Sequence, residues 1–435
     1  MKRLFLIAAA VSFVCGTVMA QEAKFDEAAI IKKIDKLELN TQNPKKATKA
    51  ETWLALGDAY TEAGTVASTG LYRGMDEFTT KILMQNPEEG TETINGVEYV
   101  KYSNAYLDVY LKDMMVQFWR VKRNFVDGAL EKGVAAYQKA YELDPKNAEA
   151  KVKTGLEKIA NSYKETADNY YTEADYAHAS DVFAAAYELQ KQAPLNKIDT
   201  VCCFNAGYLY TFLEKYDLGE KYLSQAIENG YESNGDSYDY LFLCYYKQKN
   251  YESAEQTLLA GISKFPQNSA ILEHLISLHG EMGKDPNTII PYIERGIESD
   301  PNNAVLWNGL GGVYDKLGEN EKAIEAFMKA RELDPEGYET NYNYALMVIR
   351  MADKKTEEFN KKSFTSTEER DAAMKELDAA YEKAIEPLEK ALAKKPQDAV
   401  TVELLKSVCF RLRDNSPEMM SKFEKYDAMF KSMQQ

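Results

Sequence analysis

The chain has few of the residues on which metal binding and acid–base catalysis usually depend. Among its 435 residues, three are histidine and five are cysteine. His274 and His279 are five residues apart, so they do not share the helix face that a metal-binding pair requires. Motifs typical of serine hydrolases, zinc proteases and calcium loops do not occur. We therefore predict no enzymatic activity, no catalytic residue, no metal site and no cofactor.

Positive charge is also scarce. The 53 Lys and Arg residues against 69 Asp and Glu residues give a formal net charge of −16 at pH 7. Affinity for nucleic acid phosphates or anionic lipids requires a basic surface, so we expect no nucleic acid partner. The 45% hydrophobic and 28% charged composition is typical of a globular protein and excludes general disorder.

The one long apolar run lies at the N-terminus, from Leu4 to Val14, directly after Lys2 and Arg3. It is shorter than the roughly 20 residues that a membrane-spanning helix needs. Small residues flank Met19, as signal peptidase requires. We predict a signal peptide over residues 1–20 and no integral membrane span after its cleavage, with an uncleaved anchor as the alternative. Loss of Lys2 and Arg3 would take the net charge from −16 to −18.

Export would allow disulfides to form among the four cysteines that follow the predicted signal peptide. None of them falls in a C-x-x-C pattern, and they occupy apolar segments: Cys202, Cys203, Cys244 and Cys409. Buried free thiols are favoured over a disulfide or a redox site.

A motif recurs with identical spacing 254 residues apart. The early copy comprises Trp53, Leu56, Gly57 and Tyr60, and the late copy comprises Trp307, Leu310, Gly311 and Tyr314. The late copy is followed by Ala323, Phe327, Ala330 and Pro335. The residues from Trp307 to Tyr314 have helical spacing, and so do those from Ala323 to Ala330. They predict a pair of amphipathic helices in which Trp307 is buried. Glycine inside a helix costs about 1 kcal/mol relative to alanine, so its recurrence indicates close contact between helices.

This pattern resembles the tetratricopeptide repeat, and residues 304–337 match that family without substitution. The resemblance implies an all-α fold, a right-handed α-solenoid of seven to eight helical hairpins, that binds another protein without catalysing a reaction. Six prolines fall where second helices of repeats should end, at residues 145, 194, 266, 301, 335 and 396. Elongated hairpins resemble those of exported tetratricopeptide proteins of Bacteroidetes-type Gram-negative bacteria, which implies a periplasmic location.

The repeat pattern divides the chain into consecutive segments. These are the signal peptide (1–20), an N-terminal capping helix (21–49), a first repeat (50–147) with an insertion (64–128), a repeat array (148–337), a repeat with elongated helices (338–397) and a C-terminal capping helix pair (399–435).

The insertion contains many aromatic residues. Asn95-Gly96 between β-formers predicts a small β-hairpin, and we expect 107–126 to be helical. The aromatic residues are Tyr72, Phe78, Tyr99, Tyr102, Tyr106, Tyr110, Phe118 and Trp119. Packing of the insertion is favoured for most of them, and binding of a glycan by the insertion is the alternative function.

In tetratricopeptide arrays the first helices of the repeats line a concave groove, and the residues just after the Trp, Gly and Tyr positions face it. The groove residues we expect to contact a partner are Phe204, Tyr208, Asp239, Tyr246, Asn308, Asp315 and Tyr342. Acidic and aromatic residues together suit an extended or helical protein segment with basic and apolar residues. A merely solvated acidic face remains the alternative.

Overall fold

The computed structural model describes residues 26–231, 233–266 and 268–433. The predicted signal peptide and Cys15 lie outside these residues. In the part of the chain described, no helix is long and apolar enough to span a membrane. The chain divides into two compact units, one ending at Lys215 and the other beginning at Tyr216.

The first unit combines helical hairpins with one β-sheet. Its helices are α1 (Glu27–Gln42), α2 (Pro44–Ala47), α3 (Ala50–Thr65), α4 (Glu77–Met84), α5 (Ala129–Leu143), α6 (Pro145–Thr172), α7 (Tyr176–Lys191) and α8 (Thr200–Phe212). Helix α3 packs against α5, and α6 packs against α7. The insertion therefore separates two helices that form one hairpin.

The contact between α3 and α5 explains the first recurring glycine. A Cβ atom at Gly57 would lie 2.7 Å from ring carbons of Tyr137, so only glycine fits between the two helices. Tyr137 is 1% exposed and takes the position in this hairpin that Phe327 takes against Gly311. The close helix contact inferred from the sequence is confirmed.

Four antiparallel strands form the sheet of the insertion, in the order β1 (Glu88–Ile94), β2 (Val97–Ser103), β3 (Leu107–Lys112) and β4 (Met115–Val121). The predicted hairpin at Asn95-Gly96 is present between β1 and β2. The predicted helix over 107–126 is wrong, because this stretch forms a second hairpin around Asp113 and Met114. Both turn residues have positive φ, 53° and 63°, a conformation that favours Asn or Gly. The turn therefore lacked its usual sequence signal.

Both faces of β3 and β4 are covered, and four of the eight aromatic residues named for the insertion are buried. Tyr102, Tyr110 and Phe118 are fully buried, and Trp119 is 6% exposed. The rings of Tyr110 and Phe118 stack with centroids 4.5 Å apart. The packing role favoured from the sequence is confirmed for these residues.

The second unit is helical throughout the residues described. Its helices are α9 (Tyr216–Glu228), α10 (Asp236–Lys247), α11 (Tyr251–Lys264), α12 (Ser269–Glu281), α13 (Ile290–Ser299), α14 (Ala304–Lys316), α15 (Asn320–Leu333), α16 (Tyr338–Lys361), α17 (Thr367–Glu382), α18 (Ile385–Lys394), α19 (Ala399–Leu412) and α20 (Pro417–Met433). Sequential pairs such as α10 with α11 and α14 with α15 pack together. The protein is mostly helical but not all-α, because of the sheet in the first unit. The number and handedness of the hairpins stay predictions.

The prolines of the repeat signature lie where one repeat ends, and its tryptophans fix the segment where the next repeat begins. Each of the six prolines follows a helix by two or three residues, since proline cannot continue it. Trp307 is half-buried rather than buried, and its indole Nε1 donates to the carbonyl of Pro301 at 3.0 Å. Trp53 donates in the same way to the carbonyl of Ala47, also six residues earlier, at 2.8 Å. Each indole thus holds the segment that precedes its own helix.

The four cysteines that the structure describes are buried and free, as the sequence predicted. Burial raises the pKa of the Cys409 thiol to about 11. A thiol with a raised pKa carries little thiolate at neutral pH, so Cys409 is unsuited to redox chemistry.

Candidate functional site

Within each unit, first helices of successive repeats are joined by polar contacts between residues 35 positions apart. In the first unit, Lys164 Nζ lies 2.8 Å from Asp199 Oδ2. The contacts in the second unit are His274 to Asp239 at 2.6 Å, Tyr246 to Glu281 at 2.8 Å, Asn343 to Asn308 at 3.0 Å, and Arg350 to Asp315. The separation equals the 34-residue period of the repeat plus one residue. We call this set the inter-repeat ladder.

Four of the predicted groove residues belong to this ladder: Asp239, Tyr246, Asn308 and Asp315. Each bonds to the following first helix. Each of their bonding partners comes directly after a position that the repeat pattern places in the groove of the next repeat. A search for complementary residues 35 positions apart would have found them, whereas inspection of single helices does not.

The ladder reduces the acidity that the second unit offers to a partner. Asp239 pairs with His274, and its hydrogen bond raises the pKa of this imidazole, which also stacks on Phe242 with centroids 4.7 Å apart. Asp315 pairs with Arg350. Burial and the neighbouring carboxylates raise the pKa of Glu273 on the same face. Two of the predicted acidic contacts are thus already bonded to basic side chains inside the protein.

Tyr342, the last of the predicted groove residues, is half-buried in an aromatic stack. Its ring lies parallel to that of Tyr338 with centroids 5.5 Å apart. Tyr338 donates its hydroxyl hydrogen to Asp398 at 2.8 Å, and Lys395 Nζ lies 3.5 Å from the centre of its ring. Tyr342 therefore packs beside a fixed polar group.

The first unit keeps the aromatic character that the sequence predicted. We define the α6–α8 face as Lys164, Glu165, Asp168 and Tyr171 of α6 with Phe204 and Tyr208 of α8. The rings of Phe204 and Tyr208 stack with centroids 6.2 Å apart. Phe204 is only 9% exposed, so its part is mainly to support Tyr208, which is half-buried. Tyr171 is 46% exposed.

Two carboxylates on the α6–α8 face make no direct ion pair. Glu165 and Asp168 are solvent-exposed, and neither side chain has a hydrogen bond or ion pair within the described residues. Partial burial raises the pKa of both groups, although Arg73 opposes the shift. A cation from outside would relieve this unfavourable desolvation.

The insertion is fixed beside the end of α6. Arg120 of β4 contacts the Glu173 carboxylate at 2.9 Å, the Glu92 carboxylate at 2.8 Å and the Tyr110 hydroxyl at 2.7 Å. Arg73, which precedes α4, donates to Asn169 of α6 at 3.3 Å. The insertion thus borders the α6–α8 face with a fixed cationic side chain.

The chemistry of this face is that of recognition. Among the described residues, no group of three His, Cys, Asp or Glu side chains is arranged to hold a metal ion. What the face offers instead is exposed ring surface beside two carboxylates, which suits a ligand that has a cation next to an apolar group.

Two segments match the tetratricopeptide repeat family, residues 304–336 and residues 201–229. The chain therefore contains tetratricopeptide repeats, and the repeat predicted from the late tryptophan motif is confirmed. The two matches together cover a minor part of the chain.

A curated relative is the protein CTR9 homolog of Arabidopsis thaliana, 24% identical over 219 residues, which are 48% of this chain. The match spans only 18% of that relative's length. Similar solved structures include MamA, at 17% identity over 44% of this chain and 95% of that chain, with a TM-score of 0.33. A monomeric mutant of IFIT1 with Gppp-AAAA is 14% identical over 69% of this chain and 68% of that chain, with a TM-score of 0.37.

Proposed function

We propose that this protein is an exported, non-catalytic scaffold that binds another protein through the first helices of its tetratricopeptide repeats. The observation that carries the proposal is the α6–α8 face, where Glu165 and Asp168 stand without partners beside exposed tyrosine. Repeat arrays of this family present extended surfaces on their first helices. Export to a periplasm is part of the proposal and rests on the N-terminal sequence alone.

The partner supplies a segment with a Lys or Arg next to an apolar anchor. Exposed charges are screened beyond about 8 Å at physiological salt. Glu165 and Asp168 therefore chiefly steer the approach of the partner and bind its basic side chain once the two surfaces are in contact. Aromatic side chains are frequent hot spots of protein interfaces, and Tyr171 and Tyr208 take that role.

Fewer residues are expected to contact the partner than the groove predicted from the sequence contains. Tyr208 is the main contact and Phe204 is its support. The main role of the four ladder residues is to hold successive repeats in register, and any contact that they make with a partner is secondary. In the second unit, the partner then contacts Tyr342 and those parts of the ladder side chains that are exposed.

Selection of random peptides on the intact protein, followed by fluorescence anisotropy of synthesised binders, tests the proposal. We expect selected peptides to be enriched in Lys or Arg next to apolar residues. Removing both charges with Glu165→Gln and Asp168→Asn should weaken their binding about tenfold, which corresponds to ~1.4 kcal/mol. Tyr208→Ala should cost about 2 kcal/mol or more, as for an aromatic hot spot.

Matched controls come from the insertion, away from this face. Glu98→Gln with Asp113→Asn removes two exposed carboxylates that have no partner among the described residues, and Phe78→Ala removes an aromatic ring that is 73% exposed. These variants should bind the peptides normally. Selected peptides without basic residues, or equal losses in the control variants, would refute the proposed face.

Glycan binding by the insertion stays the alternative proposal, with fewer accessible rings than the sequence suggested. Glycan recognition there required accessible aromatic rings, yet Tyr102, Tyr110, Phe118 and Trp119 are buried. Tyr72 and Phe78 are the rings of the insertion that stay well exposed, at 56% and 73%.

A further inference from the structure

A cavity in the insertion lies outside the α6–α8 face. It is half-open, has a volume of about 280 Å³, and lies between the end of α3, helix α4 and the loop joining β2 to β3. Its apolar lining consists of Val66, Ala67, Leu71, Leu83, Met84, Ala105 and Leu107. Three of these, Leu71, Met84 and Leu107, belong to the core that covers one face of the sheet. The floor of the cavity is thus part of a packed core.

The polar part of the lining is uncharged. It comprises Thr69, Gln85, Asn104 and Tyr106, and no Asp, Glu, Lys, Arg or His lines the cavity. A charged ligand would lose its hydration here without gaining a counter-ion, which is unfavourable. A neutral ligand with an apolar body loses little on entry and gains from burial.

The walls are fixed before any ligand enters. The Asn104 side chain accepts hydrogen bonds from the backbone N–H groups of Tyr106 and Leu107, both at 2.9 Å, and so sets the shape of the loop. The Tyr106 hydroxyl donates to Glu27 of α1 at 3.2 Å, and its ring packs on Phe125. Preformed walls reduce the entropy lost on binding.

The backbone beside the cavity is strained. Gln85 and Asn86, directly after α4, have consecutive positive φ values of 56° and 57°. Neither residue is glycine, and such conformations persist where the surrounding structure imposes them, often at binding sites.

We propose that this cavity is a binding site for one small, uncharged molecule that combines an apolar body with a hydrogen-bonding group. The cavity volume of about 280 Å³ is just below that of most small-molecule sites, so the ligand must be compact. The inference does not depend on the proposed function, because it concerns other residues.

Titration of the full-length protein with the neutral fluorophore N-phenyl-1-naphthylamine tests the proposal. Leu83→Trp fills the cavity, whereas Ile82→Trp places the same ring at a neighbouring position that is 51% exposed and outside the lining. We expect the Ile82→Trp variant to bind the fluorophore like the unmodified protein. The Leu83→Trp variant should bind it about tenfold more weakly or not at all.

Competition defines the ligand class and its source. Decanol should displace the fluorophore and decanoate should not, because the two differ only in charge at the polar end. Displacement by decanol alone is the expected result, and displacement by acetyl-leucine amide as effectively as by decanol would overturn the assignment to a free molecule.

Thermal melting establishes that both tryptophan variants are folded, and Ala67→Leu replaces Leu83→Trp if the latter is not. Equal binding by the folded filled and control variants would overturn the proposal. Absence of binding to the unmodified protein, or equal displacement by decanoate, would overturn it as well.

Discussion

Two adjacent glycines in α14 offer a sharp test of the repeat packing. A Cβ atom at Gly311 would lie 2.6, 2.7 and 2.9 Å from three ring carbons of Phe327 in α15, whereas a Cβ atom at Gly312 would meet nothing within 4 Å. Carbon atoms in contact normally lie about 3.5–4.0 Å apart, so Gly311→Ala forces the helices or the ring to move. Phe327 is 4% exposed and has little space to yield.

The comparison of the two variants isolates the packing effect. Each substitution gains about 1 kcal/mol of helix propensity, and this gain cancels when the variants are compared with each other. Overpacking of a core costs about 1–3 kcal/mol, so Gly311→Ala should be less stable than Gly312→Ala by that amount. Gly312→Ala alone should be slightly more stable than the unmodified protein.

Equilibrium urea unfolding with peptide-resolved hydrogen exchange measures this difference. Exchange localises the effect to α14 and α15, which matters because repeat proteins do not always unfold in a single step. Equal stability of Gly311→Ala and Gly312→Ala would refute the close helix contact on which the repeat interpretation depends.

Further predictions concern pH and the ladder. The hydrogen bond from the His274 ring to Asp239 raises the pKa of His274 above its ordinary value of 6.5. His274→Gln should therefore destabilise the second unit most below pH 6.5 and progressively less as pH rises through the raised pKa, measured by urea unfolding. Burial alone would raise the pKa of Glu92, but hydrogen bonds from Arg120, Lys101 and Tyr110 lower it to about 2. Glu92→Gln should therefore destabilise the first unit at neutral pH, and the difference should vanish as pH falls from 4.5 to about 2. A pH-independent effect of either variant would contradict the ion-pair assignments.

The sequence predicted those features that depend on local pattern. The spacing around Trp307 identified the repeat, the recurring glycines indicated close helix contacts, and Asn95-Gly96 placed the first hairpin of the insertion. Each of these signals is contained in a short stretch of chain, so no knowledge of the fold was needed to recognise it.

The features that the sequence did not predict depend on contacts between distant residues or on turns without a usual signature. The turn at Asp113 and Met114 has no Asn or Gly, so its hairpin was mistaken for a helix. The groove offers a partner fewer free carboxylates than the sequence suggests, because Asp239 and Asp315 are bonded to side chains 35 residues away. The absence of a direct ion pair at Glu165 and Asp168 becomes visible only once the neighbouring helices are placed.

Photocrosslinking in the source cells tests the proposed binding face most directly. A photoreactive residue is introduced at position 208 on the α6–α8 face and, as a matched control, at position 78 on the exposed side of α4. The scaffold account predicts a defined protein adduct from position 208, mapped to a segment of the partner with basic and apolar residues, and none from position 78. The same adducts from both positions, or an adduct from position 78 alone, would contradict it.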